Sequence, residues 1–170
     1  MAQHTWQQSG FAEGGVDVPA SVQYMKGHMA VLPAFFNRLG EERLVGRPGP
    51  DKWSAKEILG HLADSAVHNL VRFTSIPFAP SPYQIQPYAQ VELVRVNRYQ
   101  ELPLPHLLVL WESLNRQILY VIEGLTAEQL ALPVRPGYAD QAMRTLGWVF
   151  CDYVAHLEHH LSQIYERARS

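Results

Sequence analysis

Cysteine is nearly absent from this chain of 170 residues: Cys151 stands alone. No intramolecular disulfide can form, so the fold needs no oxidising compartment. Long apolar runs are missing as well. No run is longer than the five residues of Leu107–Trp111, far short of the roughly 20 residues that span a bilayer. Charge of one sign is also lacking: 14 Lys and Arg stand against 16 Asp and Glu, a formal net charge of -2. The basic residues are scattered, which leaves no electrostatic footprint for nucleic acid or an anionic membrane. The N-terminal stretch has neither a basic segment nor an apolar one, so it does not read as a signal peptide. A soluble cytoplasmic protein is the expectation.

What is present suits one globular domain. Hydrophobic residues make up 47% and charged residues 18%, and a chain of this length buries a full core without metal or disulfide staples. Residues 1–18 are expected to form a flexible leader and residues 19–170 the domain. Val22, Met25, Met29, Leu32, Phe35, Phe36 and Leu39 recur at helical spacing. Pro19 opens this first helix, Pro33 should kink it, and Gly40 or Gly46 should end it. Ser54 and Glu57 form a capping box ahead of a second helix from Ala55 to about Thr74. Pro77, Pro80, Pro82 and Pro87 then make a loop, with a short helix expected over Gln90–Tyr99. A third long helix is expected at Leu104–Glu123, with Pro105 in its first turn. Thr126 and Gln129 mark a short helix that Pro133 stops, and the last long helix runs from Thr145 to about Arg167. No strand pair is expected. Four long helices with uneven loops read as an all-α four-helix bundle with at least one long crossover.

Five of the eight histidines lie in the second and last long helices. His156 and His160 are four residues apart, so they sit about 40° apart on one helical face, one turn above the other. Asp152 and Gln163 extend that stripe. His61, Asp64 and His68 form another on the second helix. Neutral imidazole offers a lone pair to a metal ion at pH 7, and three histidines with water leave an open coordination position, as in catalytic sites. Spacing alone also permits His159 in place of His160 and His68 in place of His61, or histidines that merely pack. Cys151 lies about 140° around the helix from His156 and is expected in the core. Trp53, Trp148 and Tyr153 read as packing residues.

Two segments carry a resemblance. Trp53-Ser54-x-x-Glu57-x-x-x-His61-Leu62-x-Asp64 and His156-x-x-x-His160-x-x-Gln163-Ile164 resemble the paired signatures of the DinB/YfiT-like superfamily, and the similar layout covers roughly residues 20–168. The resemblance implies an up-down-down-up four-helix bundle, a homodimer, and a metal triad of His61, His156 and His160. The ion it implies is divalent, zinc or nickel. Asp64 and Gln163 become candidates to support the site, Asp64 by orienting a ligand imidazole or by pairing with a loop, Gln163 by bonding a metal-bound water or tying down the N-terminal loop.

Relatives include thiol transferases and an isomerase that use bacillithiol or mycothiol, and proposed metal-dependent hydrolases. The implied activity is therefore S-transfer from a low-molecular-weight thiol to an electrophile, or hydrolysis. The alternative is a metal-binding stress or interaction protein without catalysis. Such thiols carry carboxylates, so an Arg at the site mouth would favour the transferase, with Arg72, Arg95, Arg98 and Arg144 as the candidates.

Overall fold

The computed structural model describes residues 16–137 and 142–169. Residues 1–15 of the expected leader lie outside that range. Four long helices dominate: α1 (Val18–Arg38), α3 (Ala55–Ser75), α5 (Leu104–Gly124) and α7 (Leu146–Arg169). Each starts where local chemistry satisfies the free N–H groups of a first turn. Asp17 Oδ1 accepts from the Ala20 amide at 2.8 Å, so α1 begins slightly before the end of the expected leader. Ser54 and Glu57 form the expected capping box for α3. Pro105 occupies the first turn of α5, and the Thr145 hydroxyl accepts from the Trp148 amide at the head of α7.

α1 continues through Pro33, and Leu39 caps its end. A short helix, α2 (Glu41–Val45), fills the space between Gly40 and Gly46. α4 (Gln90–Asn97) agrees with the expected short helix. It stops at Arg98, whose φ of 53° turns the chain into a 3-10 segment, Tyr99–Glu101. α6 (Ala127–Leu130) carries the expected Thr126–Gln129 capping box.

Helix directions follow from two buried clusters. One joins Leu32 and Phe36 from the end of α1, Ile58 and Leu62 from the start of α3, Leu107 and Trp111 from the start of α5, and Leu157 and Leu161 from the C-terminal half of α7. The other joins Val22 and Met25, Phe73, Ile118 and Ile122, and Leu146 and Phe150, the opposite ends of the same helices. α1 and α7 therefore point one way and α3 and α5 the other, giving the up-down-down-up order. The parallel neighbours α3 and α5 cannot be joined by a tight turn, and residues 76–103 make the crossover.

One expectation is corrected. A small sheet is present: β1 (Tyr83–Gln84) pairs parallel with β2 (Pro133–Arg135), and β2 pairs antiparallel with β3 (Arg144–Thr145). Strands of two or three residues are too short to display alternation in sequence. The partners Tyr83 and Val134 also come from distant segments. Val134 is fully buried in the second cluster, so the sheet fastens the crossover to the start of α7. Among the described residues, no helix is long and apolar enough to cross a membrane.

Candidate metal centre

The start of α3 is held on three sides. Arg47 forms an ion pair with Glu57, while the Glu57 carboxylate accepts from the Ser54 amide and the Glu57 amide donates to Ser54 Oγ. Ser54 Oγ also donates to Gln100 Oε1 at 2.6 Å. Gln100 in turn accepts from Lys56 Nζ through its carbonyl and donates to the Val45 carbonyl. The 3-10 segment of the crossover is thereby fixed across the first turn of α3. Tyr99 then lies flat against Gly60: a Cβ at position 60 would stand 2.1 Å from the Tyr99 ring. Only glycine admits that approach, and the next residue is His61, which is completely buried.

α7 runs antiparallel to α3 and brings His156 and His160 to the same level. His61 Nε2 and His156 Nε2 are 3.3 Å apart, and one ligand atom from each of the three histidines lies within 4.8 Å of the others. The rings meet edge to face, with centroids 5.2 Å (His61–His156), 4.8 Å (His61–His160) and 4.6 Å (His156–His160) apart. Two nitrogens held tetrahedrally at about 2.0–2.1 Å from a zinc ion would stand about 3.4 Å apart. The His61–His156 spacing fits that chord. Trp53 walls the site, its ring 4.8 Å from His61 and 6.4 Å from His160.

Nearby polar groups divide into two sets. Gln163 lies one turn beyond His160: His160 Nδ1 is 3.4 Å from its Oε1, and its Nε2 is 2.9 Å from His159 Nε2. Gln163 thus engages both histidines on its own helix, and its contact with His160 is made through Nδ1. Asp64 turns to the crossover, where its Oδ1 accepts from Tyr99 Oη at 2.5 Å and Asn97 Nδ2 at 2.9 Å. Of the two roles weighed for Asp64, these contacts are those of a loop partner. Burial raises the Asp64 pKa against the opposing pull of those two bonds. Cys151 is buried in the core as expected, and burial pushes its thiol pKa up.

His68 lies two turns along α3 from His61 and belongs to another constellation. Its ring stacks on Tyr88 at 3.9 Å, almost parallel, and its pKa is lowered by burial and by Arg72. The Arg72 guanidinium lies 5.8 Å from the Tyr88 ring. Facing it on α7, Asp152 has its pKa pushed well above the carboxylate range by burial, against the pull of Arg72 and Arg144. Arg144 covers Trp148 at 4.9 Å. Tyr153 is buried and donates to Asn115 Oδ1, a packing role as expected, whereas Trp53 packs on the imidazoles themselves. Arg95 and Arg98 are exposed, and Arg98 pairs with Glu101. Sequence reasoning missed Tyr88, Asn97, Tyr99 and Gln100, because nothing local in a proline-rich crossover indicates which helix it covers.

The comparisons accord with this geometry. The sequence model of the DinB superfamily matches residues 25–164. YfiT from Bacillus subtilis, described as a probable metal-dependent hydrolase with an unusual four-helix bundle topology, superposes with a TM-score of 0.79 at 20% identity, over 99% of this chain and 90% of that one. No curated protein matches this chain. A family match spanning both histidine segments, on a bundle of this topology, leaves one assignment: the chain belongs to the DinB superfamily.

Proposed function

We propose that this protein is a divalent-metal-dependent enzyme that holds one ion on His61, His156 and His160 and activates a nucleophile there. The observation that carries the reading is the convergence of three imidazoles from two helices within 4.8 Å, with no cysteine or carboxylate joining the group among the described residues. Three nitrogen ligands leave a coordination position for water or substrate, the arrangement of catalytic rather than structural sites. A divalent ion in such a site lowers the pKa of a water or thiol bound to it, so the deprotonated nucleophile exists at neutral pH.

The chain's own residues supply the rest. Gln163 orients His160, Trp53 shields the imidazoles from solvent on one side, and the Gly60–Tyr99 contact sets the height of His61. Two activities use this apparatus: hydrolysis, supported by the description of YfiT, and S-transfer from a low-molecular-weight thiol, supported by the resemblance of the two histidine segments. Zinc and nickel both accept three imidazoles. A homodimer in the cytoplasm is part of the same reading, and sedimentation velocity measures the oligomeric state.

The test begins with elemental analysis of protein purified without an affinity tag. One divalent ion per chain, together with ion-dependent cleavage of esters or ion-dependent addition of thiols to electrophiles, supports the proposal, and the active substrate pair distinguishes the two activities. A bound ion with no turnover would favour a non-enzymatic metal-binding protein. Absence of an ion after incubation with zinc or nickel would overturn the reading.

A further inference from the structure

Position 163 lies between 159 and 160 on the surface of α7, about 40° from the first and about 60° from the second. Helical side chains lean toward the N-terminus, so the Gln163 amide reaches back to both rings at once. All three side chains are half-buried. The imidazoles of His159 and His160 meet edge to face, with centroids 5.3 Å apart. Of this pair, His160 belongs to the metal-ligating group and His159 does not.

The two contacts of the amide are unlike. Its Nε2 is 2.9 Å from His159 Nε2, and its Oε1 is 3.4 Å from His160 Nδ1. An amide nitrogen donates and an amide oxygen accepts. His159 Nε2 is therefore the acceptor, which puts the proton of that neutral ring on Nδ1. His160 Nδ1 is the donor, which puts the lone pair of its ring on Nε2. Turning the amide over would reverse both assignments. His160 would then carry its proton on Nε2 and commit its lone pair to Gln163 rather than to an ion. Of the two bonds, the one to His159 has the usual length and the one to His160 is long. The stronger bond sets the amide, and the weaker one follows.

We propose that His159 is a positioning residue for the metal centre: by accepting from Gln163 it fixes the side-chain amide, and through it the nitrogen of His160 that carries the proton. This role rests on the metal reading for its effect on ion affinity, whereas the proton positions themselves need no ion. A histidine that only packed on the helix surface would leave Gln163 and His160 unmoved when replaced.

The experiment measures cobalt affinity by competition with a chelator, with helix content followed by circular dichroism. His159→Leu should keep one ion per chain but weaken its binding about three- to tenfold, the contribution of one neutral hydrogen bond. His159→Gln should restore most of the affinity, because its carbonyl also accepts from the Gln163 amide. With Gln163→Ala already present, His159→Leu should have no further effect. Unchanged affinity in His159→Leu, equal losses with Leu and Gln, or a loss that persists undiminished without Gln163 would each overturn the proposal. Ring-nitrogen resonances of wild-type protein decide it without any variant. A bare Nε2 on His159 together with a protonated Nδ1 on His160 supports the relay, and any other pair overturns it. Wild-type protein that takes up no cobalt would sink the metal reading instead, and the ring-nitrogen spectrum of that ion-free protein would still decide the role of His159.

Discussion

His61 Nε2 and His156 Nε2 lie 3.3 Å apart although 95 residues separate them in the chain. The two side chains come from antiparallel helices, and each helix is held by packing that does not involve the imidazoles. Loss of one imidazole should therefore leave the bundle intact. Substituting His61, His156 or His160 by Ala should abolish stoichiometric metal binding while far-ultraviolet circular dichroism stays close to wild type. His68→Ala and His159→Ala should retain the ion. Metal counted per chain across the five variants checks the assignment, and an ion lost with His159 but kept without His160 would move the third ligand.

Gln163 tests how the imidazoles are oriented. Its Oε1 lies 3.4 Å from His160 Nδ1, and removing a partner of a ligating histidine commonly costs about 10-fold or more in metal affinity. Gln163→Ala should weaken zinc binding by about that factor, measured by competition with a chromogenic chelator. Gln163→Glu should restore it, since a carboxylate also accepts from Nδ1–H.

The Gly60–Tyr99 contact offers a test of packing. A Cβ at position 60 would meet the Tyr99 ring at 2.1 Å, so Gly60→Ala should destabilise the protein by about 1–3 kcal/mol, the usual cost of overpacking. Denaturant unfolding measures it. The double variant Gly60→Ala/Tyr99→Ala should lose less than the sum of the two single losses, because each removes the reason for the other's cost.

Glu57 gives a pH dependence with a definite sign. Burial alone would raise its pKa, but the Arg47 hydrogen bond and charge, with the Ser54 amide, lower it on balance. The folded state therefore binds fewer protons than the unfolded chain just below the ordinary glutamate pKa of about 4.3. This contribution is fully present above that pH and is lost as pH falls through the lowered folded-state value. Glu57→Gln should cost about 1 kcal/mol at neutral pH, and the gap to wild type should close on acidification. Urea midpoints measured against pH decide it.

The capping box at Ser54 and Glu57, the helical periodicities and the four-residue spacing of His156 and His160 were legible because each depends on residues within one or two turns of one another. Local chemistry of that kind is written directly into the chain. The choice of His61 over His68 was not legible from spacing, since both face the same side of α3. In the fold, His68 is taken up by Tyr88. The identity of that partner depends on where the crossover lies.

The sequence by itself determined an all-α bundle, its helix starts and a short set of histidines suited to a divalent ion. Tertiary structure decided the rest. It set α3 and α5 parallel and drew Tyr83, Val134 and Arg144 into a sheet that no alternation announced. It placed Tyr99 on Gly60 and brought His61 to His156. The physical reason is the range of the interactions: hydrogen bonds within a helix act between residues three or four apart, whereas burial of apolar faces joins residues that the sequence leaves far from one another.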